Sequence, residues 1–287
     1  MNQIELPKAN LPVVSVIVPT YNRSHTIGRA INSILKQTYN AHEIIVIDNR
    51  SLDDTRNLIK REFPNVVCVE EKKQGVSAAR NKGISLISEK SQWIAFLDSD
   101  DEWCSQKLEL QIAAVSEQEQ YRLVHTDEIW YRRGKFVNQM KKHKKSGGDI
   151  FKDCLKQCLI SPSSVMIRRD LLSEVGMFDE DLLVCEDYDL WLRITAREPI
   201  LYIDKPLTIK HGGHDDQLSQ RYWGMDRFRV QSIEKLFGSA VLTPDQESAA
   251  REVAISKIQI LINGAIKRGN TEFINFYQSK LEVFQRL

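Results

Sequence analysis

The sequence predicts an α/β fold: a mostly parallel, Rossmann-like central sheet flanked by helices and followed by a helical extension. Between residues 13 and 97, four short apolar runs alternate with three segments of helical periodicity. This alternation is typical of a parallel, doubly wound sheet, whose strands are covered on both faces and are almost continuously apolar. From residue 222 onward the chain shows helical periodicity, which predicts C-terminal helices.

The four apolar runs predict four strands, at Val13–Val18, Glu43–Asp48, Val66–Val69 and Trp93–Leu97. The first run, V-V-S-V-I-V, is nearly continuous, as expected of a central strand. A turn set by proline follows it. The second run ends on Asp48, and the fourth leads directly into Asp98.

Helices are predicted between these strands. Ser24 is expected to cap the first helix, whose apolar residues recur at helical spacing. The pattern Ser51-x-x-Asp54 predicts a capping box at the start of the second helix, and Pro64 predicts its end. A loop and a third helix are expected over residues 75–87.

The second half is predicted to begin with a helix at Ser105–Glu119 and a strand pair, Leu123–Trp130 and Phe136–Met140, that turns at Arg133-Gly134. One further strand, Ser164–Arg168, and a short helix, Arg169–Val175, are expected to follow. The basic stretch Lys141–Gly148 has two interpretations, a solvated mobile loop or a loop that orders over substrate phosphates. Two amphipathic helices are expected over residues 244–287, with a break at Gly269-Asn270.

Composition excludes several classes of protein. The chain has 40 Lys and Arg against 39 Asp and Glu, which gives no reason to expect nucleic acid as a partner. The sequence contains no run of about 18 apolar residues, so a membrane-spanning helix is not expected. The first residues, M-N-Q-I-E-L-P-K, lack a signal-peptide pattern. The scattered spacing of the five cysteines argues against a zinc site and favours reduced thiols in a cytoplasmic protein. They are Cys68, Cys104, Cys154, Cys158 and Cys185.

Carboxylates cluster at the predicted strand ends. Asp98, Asp100 and Asp101 follow one strand, and Asp48 ends another. Open α/β sheets bind ligands at the carboxyl ends of their strands, so these residues predict a ligand site. The D-S-D sequence can hold a hard divalent cation, and the alternative is an acidic turn that caps the next helix. The first turn is P-T-Y-N rather than G-x-G-x-x-G, and no P-loop is present, which argues against a dinucleotide cofactor.

Two further polar clusters are candidate site residues. Glu186 and Asp187 open a helix, where acidic residues suit the helix dipole. The apolar residues Leu190, Trp191 and Ile194 are expected to bury one side of that helix, which would hold a catalytic carboxylate rigidly. The glycine-rich stretch at residues 211–216 contains two histidines and two aspartates; it is either a plain turn or a metal- or phosphate-binding loop.

Five motifs occur in order and at suitable spacing: S-V-I-V-P-T-Y-N-R at 15–23, I-V-I-D-N-R-S-L-D-D-T at 45–55, G-V-S-A-A-R-N-K-G-I at 75–84, F-L-D-S-D-D at 96–101, and G-x-F-D-E with C-E-D-Y-D-L-W-L-R at 176–193. Together they resemble family 2 glycosyltransferases of the GT-A fold. The resemblance implies a GT-A domain over residues 1–220. Within it, residues 10–104 would form the nucleotide-binding half and residues 105–220 the acceptor-binding half. Residues 221–287 lie outside the resemblance, as a helical extension.

The resemblance also implies roles for residues of the nucleotide-binding half. Pro19, Thr20 and Tyr21 match the loop that lines the nucleotide base, and Asp48 matches the carboxylate that hydrogen-bonds the base. The family often has a second aspartate after it, where this chain has an asparagine. Arg80 matches a residue near the ribose and the phosphates.

The D-x-D motif is matched by Asp98-Ser99-Asp100, with Asp98 toward the ribose and Asp100 toward a Mn²⁺ or Mg²⁺ ion that bridges the diphosphate. Asp187, in the pair with Glu186, matches the general base that takes the proton from the acceptor hydroxyl. His211 or His214 matches a later histidine that contacts metal or diphosphate in some GT-A enzymes.

The function expected from the resemblance is that of an inverting, metal-dependent glycosyltransferase. It would move a sugar from a nucleotide-diphosphate sugar, with UDP preferred, to a hydroxyl of a saccharide or lipid-linked acceptor in surface-polysaccharide or lipopolysaccharide assembly. One alternative is a nucleotidyltransferase, which needs a glycine-rich basic loop where this chain offers only Arg23. The other is a nucleotide-sugar-binding module without catalysis.

The expected location is cytoplasmic, with peripheral docking at the inner face of the plasma membrane. The basic block Lys141–Lys145 is the candidate for that docking. The C-terminal helices are the candidate for forming a homo-oligomer.

Overall fold

The protein is described from a computed structural model, which covers residues 11–213 and 222–286. In these two ranges, nine strands form one sheet: β1 (Val14–Thr20), β2 (Glu43–Asp48), β3 (Val67–Glu70), β4 (Trp93–Phe96), β5 (Glu102–Trp103), β6 (Leu123–Arg132), β7 (Lys135–Val137), β8 (Val165–Arg168) and β9 (Leu201–Gly212). The α/β class and the mostly parallel sheet expected from the sequence are confirmed.

Seven helices accompany the sheet: α1 (Ile27–Leu35), α2 (Thr55–Glu62), α3 (Val76–Leu86), α4 (Lys107–Glu117), α5 (Phe151–Lys156), α6 (Arg169–Val175) and α7 (Glu186–Thr195). Three more follow near the C-terminus: α8 (Asp226–Phe237), α9 (Pro244–Lys267) and α10 (Thr271–Arg286). In the described part of the chain, none of these helices is both long enough and apolar enough to cross a membrane.

The strand order of the sheet sets the position of the site. β3, β2, β1 and β4 lie side by side in parallel, and the sheet continues through β8, β6, β9 and β5. β8 runs antiparallel to both β4 and β6, and β6 is parallel to β9. β6 and β9 therefore run in the same direction as β1, and their carboxyl ends meet at the edge where β8 begins.

The alternation of side chains along β1 explains why helices cover both faces of the sheet. Ile17 contributes to one buried core, whereas Val16 and Val18 contribute to the core on the opposite face. A strand with apolar side chains on both faces needs a helical layer on each. The buried runs therefore fix β1, β2 and β4 in the middle of a three-layer structure.

Serine side chains near the first two helices do not act as the predicted caps. α1 begins after Thr26 and α2 after Asp54, and neither position makes a side-chain capping hydrogen bond. Instead Ser51 Oγ accepts from the Asn22 N–H (2.8 Å), and an Asp53 oxygen accepts from the Ser24 N–H (3.0 Å). The predicted caps were wrong because these polar groups join the loop after β1 to the loop after β2.

The second half differs from the expectation in three places. β9 runs through His211 to Gly212, where a glycine-rich loop was predicted, and the two-residue β5 pairs with it. β7 is shorter than predicted and ends at Val137. The basic block is not fully solvated, because Lys145 is buried and its Nζ lies 3.1 Å from Glu128.

The helical character expected from residue 222 onward is confirmed in the described residues. Thr243 and Gln246 form a reciprocal capping box at the start of α9, and Gly269 has a φ of 63° at the break before α10. Val230 of α8 and Phe284 of α10 belong to the same buried core as Ile17. The division into domains at residue 220 stays a prediction.

Gly83→Ala is expected to lower the free energy of unfolding by about 1–2 kcal/mol, since overpacking outweighs the gain in helix propensity. A Cβ at this position of α3 would lie 2.4 Å from Cγ2 of the buried Ile17 on β1. Gly28→Ala on α1 is the matched control, because the nearest atoms there are 3.9 Å away. This control should stabilise the protein by about 0.5–1 kcal/mol. Urea unfolding of both variants tests the contact, and equal stabilisation by the two would contradict it.

Candidate active site

The predicted site residues lie at one edge of the sheet. Thr20 is the last residue of β1 and stands directly opposite Asp48, the last residue of β2. Asp98 follows β4, and His211 lies at the end of β9. Chain direction alone brings these residues to the same edge, as the sequence predicted for the two aspartates.

Among the described residues, two buried oxygens at the β1–β2 corner have no hydrogen-bond partner. Asp48 is fully buried; its Oδ2 accepts from the Ser51 N–H (3.2 Å) and lies 3.8 Å from Arg56 Nε. Asp48 Oδ1 and the neighbouring Thr20 Oγ1 make no hydrogen bond within residues 11–213 and 222–286. A buried polar atom without a partner costs about 1–3 kcal/mol, so this corner suits a ligand that donates hydrogen bonds. Pro19 is buried beside it and Tyr21 is exposed.

Asn49 has a structural function that the sequence analysis missed. Its Nδ2 donates to the carbonyls of Glu71 (3.1 Å) and Lys73 (2.7 Å), and its Oδ1 accepts from the Gly75 N–H (2.8 Å). A carboxylate could not donate to those carbonyls, so aspartate cannot replace asparagine here without losing both bonds. Asn49 thereby fixes the loop that leads into α3.

Arg80 of α3 connects two distant carboxylates. Its Nη2 donates to Asp98 Oδ1 (2.8 Å) and its Nη1 to Glu186 Oε1 (2.6 Å). The Arg80 side chain is only 4% exposed, and the guanidinium carbon lies 5.1 Å from the centre of the Phe178 ring. The resemblance implies a place for Arg80 near the ribose and the phosphates; in the structure, Arg80 joins the end of β4 to the start of α7.

The surroundings of this bridge move the pKa of its two carboxyl groups in opposite directions. Burial raises the pKa of Asp98, but the charges of Arg80 and Lys210 together lower it by more than burial raises it. The pKa of Asp98 is therefore below its usual range. Burial and the neighbouring Asp187 charge raise the pKa of Glu186 to about 7, despite Arg80. Near neutral pH the bridge therefore holds an ionised Asp98 and a Glu186 that readily takes up a proton.

Asp101 connects the D-x-D segment to the turn before β8 and to β9. The Asp98 N–H donates to Ser163 Oγ (3.1 Å), whose hydroxyl donates to Asp101 Oδ2 (2.7 Å). Asp101 Oδ1 accepts from the His211 N–H (3.1 Å), and Lys210 Nζ lies 3.5 Å from Asp101 Oδ2. Burial, together with the nearby Asp100 and Asp98 charges and despite Lys210, raises the pKa of Asp101 to about 7. These contacts of Asp101 were not predicted from the sequence, where it is one member of the acidic cluster after the fourth strand.

Asp100 has weaker contacts than Asp98. Its Oδ2 lies 4.0 Å from Arg23 Nε, its side chain is 21% exposed, and Ser99 beside it is buried. Burial and the Asp98 charge raise the pKa of Asp100. This pair of carboxylates offers the hard oxygen ligands that Mn²⁺ and Mg²⁺ take, and a bound cation would relieve their repulsion, so the residues fit the metal.

His211 is not assembled with these aspartates into a three-ligand cluster. Its Nε2 hydrogen-bonds with Glu102 Oε1 (2.9 Å), and its ring stacks on Tyr131 with a centroid distance of 5.6 Å. No group of three or more His, Cys, Asp or Glu side chains suited to a metal ion is found in the described ranges. His214, the other histidine of this motif, lies outside the described residues.

Asp187 lies in the first turn of α7, on a rigid support. Its Oδ1 accepts from the Tyr188 N–H (2.7 Å), and its Oδ2 accepts from the Cys158 thiol (3.3 Å). Leu190, Trp191 and Ile194 are buried, as the sequence predicted, and anchor the helix. The contact with Cys158 was missed because nothing in the local pattern links residues so far apart in the chain.

Comparison with known proteins gives a family match. The family model described as Glycosyl transferase family 2 matches residues 15–176. The Escherichia coli UDP-Glc:alpha-D-GlcNAc-diphosphoundecaprenol beta-1,3-glucosyltransferase WfgD is 36% identical over 191 residues, covering 63% of this chain and 69% of WfgD. The putative teichuronic acid biosynthesis glycosyltransferase TuaG of Bacillus subtilis is 30% identical over 239 residues, covering 78% of this chain and 90% of TuaG.

Other relatives are much longer than this chain. An uncharacterized glycosyltransferase of Rickettsia felis is 30% identical over 269 residues, which is 91% of this chain but 44% of the relative. For a second such protein, from Rickettsia bellii, the aligned part is 28% of the relative's length.

Solved structures share the fold. Staphylococcus aureus TarS 1–349 in complex with UDP-GlcNAc has a TM-score of 0.64 at 18% identity, covering 96% of this chain and 92% of TarS 1–349. The mannosyltransferase PcManGT of Pyrobaculum calidifontis, in complex with GDP-Man and Mn²⁺, has a TM-score of 0.60 at 16% identity, covering 96% and 85%. The expected GT-A architecture is thereby confirmed. With the family match over residues 15–176, the chain belongs to glycosyltransferase family 2.

Proposed function

We propose that the chain is an inverting, metal-dependent glycosyltransferase. It would move a sugar from a UDP-sugar to a hydroxyl of a saccharide or lipid-linked acceptor during assembly of a cell-surface polysaccharide. The observation that carries this proposal is the Arg80 bridge, which holds Asp98 of the D-x-D motif and Glu186 of the acidic pair at one sheet edge. Family membership and the names of WfgD and TuaG support the same reaction class.

The donor nucleotide would occupy the β1–β2 corner. Asp48 Oδ1 and Thr20 Oγ1 are buried acceptors without partners in the described structure, and an imide N–H of uracil would satisfy one of them. The UDP-GlcNAc complex of TarS and the UDP-glucose in the name of WfgD favour UDP over GDP.

Asp98 and Asp100 would hold Mn²⁺ or Mg²⁺, a Lewis acid that stabilises the charge left on the departing diphosphate. Arg80 keeps Asp98 ionised, because its charge lowers the pKa of that carboxyl. Asp101 and Ser163 hold the backbone of the motif in place through the Asp98 N–H.

Asp187 is the proposed general base. It would take the proton of the acceptor hydroxyl while the hydroxyl oxygen bonds to the anomeric carbon and the bond to the diphosphate breaks. One displacement from the face opposite the leaving group inverts the anomeric centre. Glu186 suits this task less well, because it is buried, whereas Asp187 is half-buried.

Calorimetric titration with UDP, GDP and dTDP, each with and without Mn²⁺, tests the donor site. We expect Mn²⁺-dependent binding of UDP. Asp100→Ala should weaken it by about tenfold or more, equivalent to about 1.4 kcal/mol, while Asp187→Asn should leave it unchanged. If none of the three nucleotides bound, the donor site would be refuted. If UDP bound without transfer to any acceptor, the non-catalytic alternative would stand, and release of diphosphate from UTP and a sugar 1-phosphate would favour the nucleotidyltransferase.

A further inference from the structure

The C-terminal helices form an open groove that is lined by aromatic rings and also by the charged side chains of Arg227, Glu234 and Lys280. It lies between α8 and α10, has a volume of about 470 Å³, and has an aromatic lining formed by Phe228, Phe273, Phe276 and Tyr277. Phe276 is 52% exposed. Val283, two turns further along the same face of α10, is 56% exposed, so the apolar surface extends beyond the groove.

A cationic aromatic cluster borders this groove. Trp223 is 49% exposed, and its ring centroid lies 5.0 Å from that of Phe273. The guanidinium carbons of Arg227 and Arg268 lie 4.1 Å and 5.1 Å from the centre of the Trp223 ring. Within residues 11–213 and 222–286, neither arginine forms an ion pair with a carboxylate, and Arg227 Nε and Nη2 donate to the Trp223 carbonyl (3.2 Å and 2.9 Å). By contrast, Lys280 is neutralised by Glu234, at 2.5 Å.

We infer that this surface, formed by Trp223, Arg227, Arg268, Phe276 and Val283 and here termed the α8–α10 face, docks the protein on a membrane that contains acidic phospholipids. Half-exposed tryptophan beside unpaired arginines matches the headgroup region, where aromatic rings and cations are both favoured. The aromatic rings of the groove would contact the boundary between the lipid headgroups and the acyl chains, as the apolar face of an interfacial helix does. The purpose of docking rests on the proposed function, because a lipid-linked acceptor is presented at a membrane surface.

Charge favours a membrane over a second copy of the chain as the occupant. In a two-fold symmetric contact, the same patch of each copy meets the other, so unpaired Arg227 and Arg268 would face like charges. Acidic lipid headgroups would instead neutralise both arginines.

The basic block predicted from the sequence is a weaker candidate. Lys145 is 3% exposed and its charge is neutralised by Glu128. Among the described side chains of the basic block, Lys141 and Lys144 are the exposed lysines. These two lysines therefore supply a matched pair of control charges away from the α8–α10 face.

Sedimentation of the full chain with vesicles tests the inference. Vesicles of phosphatidylcholine alone are compared with vesicles that also contain phosphatidylglycerol, at low and high salt. The variants are Arg227→Gln/Arg268→Gln, Trp223→Ala, and the control Lys141→Gln/Lys144→Gln. Thermal unfolding and UDP titration of each variant report folding and the donor site separately.

We expect tighter binding to the acidic vesicles, weakened by salt. The arginine pair should lose about 25-fold in vesicle affinity, since each charge near an acidic surface contributes about fivefold. Trp223→Ala should also weaken binding, whereas the lysine pair should stay within about twofold, because it lies outside the contact.

Three results would overturn the inference: equal binding to both vesicle types, full binding by the folded arginine pair, or a dimer in light scattering that the arginine pair abolishes. Vesicle binding is measured without nucleotide. If the unmodified chain bound vesicles but not UDP, the proposed function would be refuted; if it bound UDP but not acidic vesicles, the docking surface would be refuted.

Discussion

Asp187→Asn is expected to lower kcat of sugar transfer by about 10²–10⁴-fold, the usual contribution of a general base. The amide is nearly isosteric but cannot accept the proton of the acceptor hydroxyl. UDP affinity should be unchanged, because the nucleotide corner at Thr20 and Asp48 belongs to a different part of the sheet edge. Steady-state kinetics at saturating donor, paired with UDP titration, separates the two effects.

Asp170→Asn is a matched control for this substitution. Asp170 also lies in the first turn of its helix, α6, and its Oδ1 accepts a backbone N–H, from Leu171 at 2.8 Å. The same change of chemistry away from the site should leave kcat unchanged. If Asp187→Asn retained most of its activity while Glu186→Gln lost it, the base would be Glu186 and the assignment of Asp187 would be wrong.

Arg80→Met is expected to lower the free energy of unfolding by about 3–5 kcal/mol, the cost of breaking a buried ion pair from one side. Methionine fills much of the volume, but it leaves Glu186 buried without its cation and deprives Asp98 of its shortest ion pair. Arg61→Met is the control, because the Arg61 side chain is 59% exposed and its pair with Asp54 should contribute less than about 1 kcal/mol. Urea unfolding of both variants measures the difference.

A second substitution separates charge from packing at this position. Adding Glu186→Gln to Arg80→Met removes one uncompensated carboxylate, so the double variant should recover part of the lost stability. The loss in Arg80→Met should also be smaller at pH 5 than at pH 8, because an unpaired buried carboxylate has a raised pKa and is neutral below it. A loss no larger than that of Arg61→Met would show that the bridge contributes little to folding.

The parallel half of the fold was predictable because its strands are continuous apolar runs. Val13–Val18 and Glu43–Asp48 differ from the observed β1 and β2 by at most two residues at an end. β9 was not predictable, since its centre carries Asp204, Lys205 and Pro206 and its pairing with β6 shifts register near Asp127. β5 has two residues, too few for any periodicity.

The candidate site was predictable only where chain direction decides position. Aspartates that follow parallel strands must lie at one edge, and the sequence placed Asp48 and Asp98 there. The contact between Arg80 and Glu186 spans 106 residues, and that between Ser163 and Asp101 spans 62. Such pairs depend on how β8 and α7 pack against the first half, which the local sequence does not encode. Their roles in catalysis stay predictions.

The Arg80 bridge also limits how the chain can be recombined with its relatives. Arg80 comes from the first half of the sequence and Glu186 from the second, yet both ends of the bridge are buried. In a chimera that took residues 105–220 from another glycosyltransferase, Arg80 would contact whatever residue that protein has at the position of Glu186. To exchange acceptor specificity by joining halves, the protein that supplies the second half must therefore have a carboxylate at the position of Glu186. Otherwise Arg80 must be replaced as well.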